Sequence, residues 1–146
     1  MVLLSTDSPE DLTKYDKPLI SFSTELPALA EALQLAYPYK WFVGSRDGCS
    51  CGFRHLYIGS VELGFGEPEE WFPEEAGDIQ ATVCFVKVVS NLLANGASVD
   101  CIDAWGHESS EADLSGTVDV NLNIISELKF RFFENHRFVF TASNIG

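Results

Sequence analysis

The chain has 146 residues, 46% of them hydrophobic, and a formal net charge of −13 from 22 acidic and nine basic side chains. That length and apolar content suit one globular domain with a core that needs no disulfide or metal staples, and they exclude an intrinsically disordered chain. The acid excess argues against nucleic acid and anionic membranes as partners, because phosphate affinity comes mostly from Lys and Arg, and no apolar run approaches the roughly 18 residues of a membrane span.

The charge is unevenly spread. Residues 1–54 hold seven acids and five bases, residues 55–128 hold fourteen acids and the single base Lys87, and residues 129–146 hold one acid and three bases. A surface of this sign keeps molecules apart in solution and speeds encounter with a basic partner. The N-terminus lacks a basic segment followed by a long apolar one, so no secretory signal is expected. Four cysteines in that setting point to free thiols in a reducing, cytoplasmic compartment.

In chain order, residues 1–18 are expected to include a loosely ordered polar arm containing Pro9 and Pro18. Residues 19–23 read as a short strand. Leu26, Leu29, Ala30 and Leu33 recur at helical spacing, predicting a first helix capped by Thr24 and stopped by Pro38. Residues 40–45 are rich in side chains that suit a pleated surface and read as a second strand. After a loop at 48–52, residues 53–58 read as the returning strand.

Residues 59–78 form a long segment rich in Gly, Pro and Glu. Residues 79–95 predict a second helix: Glu74, Glu75 and Asp78 suit its positive N-terminal end, and Asn95-Gly96 suits its stop. Its valines pull towards strand, but its length favours helix, and being apolar nearly all round it should lie buried on a sheet. Residues 97–104 read as a strand, and 105–116 as a polar loop. Val118, Val120, Leu122 and Ile124 then alternate with polar residues, Leu128, Phe130 and Phe132 continue the alternation, and residues 134–136 turn into a last strand. The predicted fold is α+β: one domain, 1–146, with a mainly antiparallel sheet, two helices packed on one face and a C-terminal β-meander.

Three constellations can carry chemistry. Cys49 and Cys51 lie one residue apart between Gly48 and Gly52. Zinc is usually held by four Cys or His ligands, often in pairs two to four residues apart. His55 extends this pair to C-x-C-x3-H, and a fourth ligand would have to come from Cys101 or His107. A redox pair usually has two intervening residues. Arg46 and Arg54 flank the loop and can depress a thiol pKa. The simpler reading is a glycine-flanked turn with small, inward-packed thiols. Cys84 and Cys101 read as core.

The second constellation, His107 with Glu108, Glu111 and Asp113, offers an acid–base pair but no nucleophile at a motif spacing, and no phosphate-binding, dinucleotide-binding or zinc-protease signature is present. The third is the acidic stretch Glu62, Glu67, Glu69, Glu70, Trp71, Phe72, Glu74 and Glu75. It lacks the regular carboxylate spacing of a calcium loop. Aromatic anchors among acids suit protein recognition, while the plainer reading tucks the aromatics into the core.

These patterns predict a non-catalytic protein-binding module without a cofactor, for which an immunity-type or inhibitor protein facing a basic partner is one concrete form. The alternative is a thiol- or zinc-dependent protein using Cys49 and Cys51, with His55 and His107 as further candidate ligands.

Overall fold

The N-terminal residues Val2–Thr6 form strand β1, and all five are buried. In the computed structural model, which describes residues 1–27, 30–45, 52–56, 58–70, 73–104 and 114–142, β1 lies inside the main sheet. A 3-10 turn follows at Leu12–Tyr15, then β2 (Ile20–Ser23), a second 3-10 turn at Ala30–Gln34, and β3 (Tyr39–Ser45). Next come β4 (His55–Leu56), a 3-10 segment at Ile58–Leu63, and helix α1 (Ala76–Ala94). The chain closes with β5 (Val99–Asp103), β6 (Gly116–Asn121), β7 (Phe132–Phe133) and β8 (His136–Thr141).

The six-stranded sheet runs β2-β3-β1-β5-β8-β6 and is antiparallel except for the last pair, β6 and β8, which is parallel. β4 and β7 form a separate, parallel two-stranded ladder. The architecture is therefore α+β, a mixed sheet with one α-helix among the described residues.

The expected loose arm is corrected by this sheet. β1 pairs with β3 on one side and β5 on the other, as Leu4 opposite Trp41 and opposite Cys101 illustrates. The polar residues that suggested disorder are used as backbone caps. Thr6 Oγ1 accepts the Ser8 N–H at 3.2 Å, Asp11 accepts the Thr13 N–H at 3.0 Å, and Asp16 accepts the Phe22 N–H at 2.8 Å.

The expected first helix is also corrected. Residues 28–29 lie outside the described residues, but Leu33, a member of the predicted stripe, is 79% exposed, while Leu35 is buried. Leu26, Ala32 and Leu35 pack with Leu3, Phe42, Ile102 and Leu114 in a small second core. Short helices are marginal alone, and here Leu35 is seated by a tighter 3-10 turn. In the opposite, larger core, α1 with its Phe85 packs with the other side chains of the same strands, such as Val2, Leu4, Val99 and Cys101, and with phenylalanines from other stretches. Each face of the sheet is thus covered by a different element, rather than one face by two helices.

The C-terminal meander is absent because β6 and β8 run parallel, so the connection must cross over. Residues 122–131 turn beneath the sheet, and Phe130, Arg131, Phe132 and Phe133 are all buried. The in–out alternation that implied a half-buried strand gives way to continuous burial at 130–133, while Leu128, expected inside, is exposed. The predicted return strand at 53–58 shrinks to two residues paired with β7.

The central helix matches expectation closely. The Gly96 N–H donates to the Leu93 carbonyl at 3.0 Å and the Ala97 N–H to the Leu92 carbonyl at 3.0 Å, with Gly96 at φ +86° closing the end. A left-handed residue there caps otherwise unpaired carbonyls. No helix among the described residues is long and apolar enough to cross a membrane.

Gly52 is needed for space. Its N–H donates to Ser45 Oγ at 3.0 Å. A Cβ there would sit 2.5 Å from Ser45 Oγ and 3.0 Å from Ser45 Cβ. Gly52→Ala should lower the urea unfolding free energy by about 1–3 kcal/mol, the usual range for overpacking. Ser45→Gly in the same chain should return part of that loss, and an undiminished penalty in the double variant would show that this clash is not the cause.

Candidate functional site

The acidic stretch is held to the domain by a buried arginine. Arg54 directly follows the Gly52-Phe53 entry into β4, and its guanidinium is fully enclosed. Each of its five N–H groups has an acceptor. Nε and Nη2 donate to the two carboxylate oxygens of Glu74 at 2.8 and 2.7 Å, and Nη2 also donates to the Gly66 carbonyl at 2.8 Å. Nη1 donates to the carbonyls of Leu128 at 2.6 Å and Phe130 at 3.2 Å. A planar fork paired with a carboxylate is the geometry for which Arg is suited and Lys is not.

Arg131 closes the same network, donating to the Gly64 carbonyl at 3.1 Å and to Glu74 at 3.4 Å. The Gly66 N–H in turn donates to the Lys129 carbonyl at 2.9 Å. Three chain segments, 52–56, 64–74 and 128–131, are tied at one point. Burial pushes the Glu74 carboxyl up, but the hydrogen bonds and charges of Arg54 and Arg131 outweigh it and hold the group below the ordinary glutamate value of 4.5.

This arrangement removes Glu74 from the predicted surface: its side chain is only 8% exposed because two guanidinium groups occupy it. Glu62, Glu67, Glu69, Glu70 and Glu75 are exposed, as the sequence reading requires of a surface. Trp71 and Phe72 lie outside the described residues. Leu63, just before the 64–74 segment, and Leu128, in the 128–131 segment, are exposed.

The cysteine loop has a different outcome. Cys49, Cys51 and His107 lie outside the described residues, as do Arg46 and the acids Glu108, Glu111 and Asp113. Arg54, expected to tune a thiol, is spent on Glu74 and three carbonyls. His55 is described: its Nδ1 lies 2.8 Å from Asp103 Oδ2, and its ring packs beside Phe132 at 5.5 Å. Asp103 is buried and also faces the N-terminal ammonium of Met1 at 3.6 Å. A buried carboxylate of this kind orients an imidazole.

Cys101 is buried, as expected of a core thiol. Burial, followed by the charges of Asp100 and Asp103, pushes its pKa well above the usual value, while Arg137 opposes weakly. It therefore stays protonated and is unsuited to ligation as a thiolate. Among the described residues, no three His, Cys, Asp or Glu side chains group to hold a metal ion. His136 sits against the rim of the sheet, with Nδ1 2.7 Å from the Glu134 carbonyl.

A second buried charge lies on the other face of the sheet. Asp100 is bound by Arg137 at 2.9 and 2.8 Å, by the Ala36 N–H at 3.0 Å and by the Ser5 hydroxyl. It fastens the 3-10 segment over β1, β5 and β8. Neither this network nor the Arg54 clamp carries a local sequence signal, because the acceptors lie far along the chain.

Compared with models of known protein families, with curated proteins and with solved structures, the chain matches none.

Proposed function

We propose that this is a non-catalytic binding protein that meets a basic protein partner through the acidic surface of residues 62–75. The observation that carries this reading is the clamp beneath that surface. Arg54 and Arg131 grip Gly64, Gly66 and Glu74, while Glu62, Glu67, Glu69, Glu70 and Glu75 remain exposed around the held points. An ordered loop loses less conformational freedom on binding than a loose one. Exposed carboxylates on it steer a basic partner and set its register, and exposed Leu63 adds apolar area in the same segment. An inhibitor or immunity-type protein that covers the basic surface of its target is the concrete form that these features support best. The thiol or zinc reading has no comparable support among the described residues, where His55 is held by Asp103 and Cys101 is buried, and Cys49 and Cys51 lie outside them.

The test is capture of partners from a whole lysate by the immobilised protein, with Glu67, Glu69 and Glu70 changed together to Gln as the comparison. Wild type should retain a basic chain whose recovery falls as salt rises, and the triple variant should bind that chain about ten-fold more weakly, an expected size for losing several steering charges. Equal recovery by both proteins, or recovery insensitive to salt, would rule out this surface.

A further inference from the structure

We propose that a cavity between α1 and the turn entering β2 binds a compact phosphate-type dianion. The cavity has a volume of about 200 Å³ and is lined by Tyr15, Lys17, Ile20, Cys84, Lys87, Val88 and Asn91. Cys84, Lys87, Val88 and Asn91 stand at i, i+3, i+4 and i+7 on the helix, so one stripe of α1 forms a whole wall. The facing wall is braced: Lys17 and Ile20 exchange backbone hydrogen bonds of 2.8 and 3.1 Å, which fixes the turn that carries Lys17.

The charge at this place is opposite to that of the molecule. The chain has only nine basic residues against 22 acids, and Lys87 is the single base between residues 55 and 128. Two of the nine line this cavity, and among the described residues no acidic side chain does. Neither Lys17 nor Lys87 makes an ion pair among the described residues. The carboxylates nearby in sequence are engaged elsewhere: Glu10 by Lys14 and the Tyr15 hydroxyl, and Asp16 by the Phe22 N–H.

Two lysine side chains line one small cavity, and a dianion placed there matches both charges. Lys serves phosphate as a point charge, and the Asn91 amide can add N–H donors. Buried Ile20 and Val88 give the cavity an apolar floor, which strengthens charge interactions above it. A space of this size takes a phosphate group, free or at the end of a larger ester.

Cys84 reports occupancy because it lines the cavity and is partly exposed. The experiment follows iodoacetamide alkylation of Cys84 by peptide mass spectrometry, in inorganic phosphate and in chloride at matched ionic strength. Phosphate should slow labelling saturably, by about five-fold near full occupancy, and Lys17→Gln with Lys87→Gln should abolish the protection. Phenyl phosphate in a second arm separates the sources: protection by both anions admits the end of a larger ester, and protection by phosphate alone confines the site to the free ion. Equal rates in phosphate and chloride, or protection that persists in the double variant, would overturn the proposal. Should Cys84 label too slowly to follow, thermal unfolding decides, because phosphate should raise the Tm of wild type and not that of the double variant.

Discussion

Arg54→Ala should destabilise the domain by about 3–5 kcal/mol, the range for removing one partner of a buried ion pair. The loss has two parts. Glu74 keeps its charge in a site where only Arg131 remains to balance it, and the carbonyls of Gly66, Leu128 and Phe130 lose their donors. Glu74→Gln leaves those carbonyl bonds in place but strips two buried guanidinium groups of their counter-charge, so it should also cost about 3–5 kcal/mol. Urea unfolding of the three proteins measures both effects. Nearly equal stabilities for Arg54→Ala and wild type would show that the network contributes nothing net.

The same clamp predicts a pH dependence. The folded Glu74 carboxyl lies below its ordinary value of 4.5, so its contribution is fully present above that value. It is lost as pH falls through the lowered folded value. Wild type should therefore lose stability below pH 4.5 more steeply than Arg54→Ala, and the two curves should converge in acid. The clamp also orders the proposed binding surface. In Arg54→Ala, a protease that cuts after Glu should cleave at residues 67–70 faster than it does in wild type.

Phe85→Ala should cost about 3–5 kcal/mol, the usual range for emptying a buried phenylalanine site. Phe85 is completely buried at the point where the helix meets the aromatic core. Its ring centroid lies 5.0 Å from that of Phe132, 6.0 Å from those of Phe130 and Phe140, and 6.3 Å from that of Phe53. These neighbours come from three separate stretches of chain, so they cannot all collapse into the space left behind. With total stabilities of about 5–15 kcal/mol usual for a domain, this one change takes much of what is available. Phe85→Leu keeps most of the volume and should cost under about 1.5 kcal/mol. Thermal unfolding of the two variants checks this, and a loss for Phe85→Ala no greater than for Phe85→Leu would mean that the site closes up.

The features that local chemistry specifies were readable from the residues alone. Asn95-Gly96 ends α1 because glycine tolerates the left-handed conformation that caps a helix. The β-branched and aromatic run at β3, the strand before it and the strand after α1 are likewise local patterns, as is the placing of exposed glutamates on a Gly/Pro segment. The burial of Cys101 followed from residue type and strand position. By contrast, the residues around Cys49 and Cys51 promised chemistry through composition, yet Arg54 within that stretch proved to be a structural clamp.

What the tertiary structure alone decided is pairing over long separations. β1 sits between β3 and β5, and its polar neighbours become caps, because Val2–Thr6 meets strands that begin some 40 and 100 residues later. Leu33 leaves the predicted helical stripe because Leu35 finds Leu3 and Ile102. The alternation at 128–132 misled because β8 runs parallel to β6, which sends Phe130, Arg131 and Phe132 under the sheet. Periodicity records how each residue faces its neighbours within one element; it holds no record of which distant strand, carbonyl or carboxylate arrives on the other side. The acidity of residues 62–75 could therefore be read directly from the chain, whereas the grip of Arg54 on Glu74, and the meeting of Lys17 and Lys87 at one cavity, came from the fold.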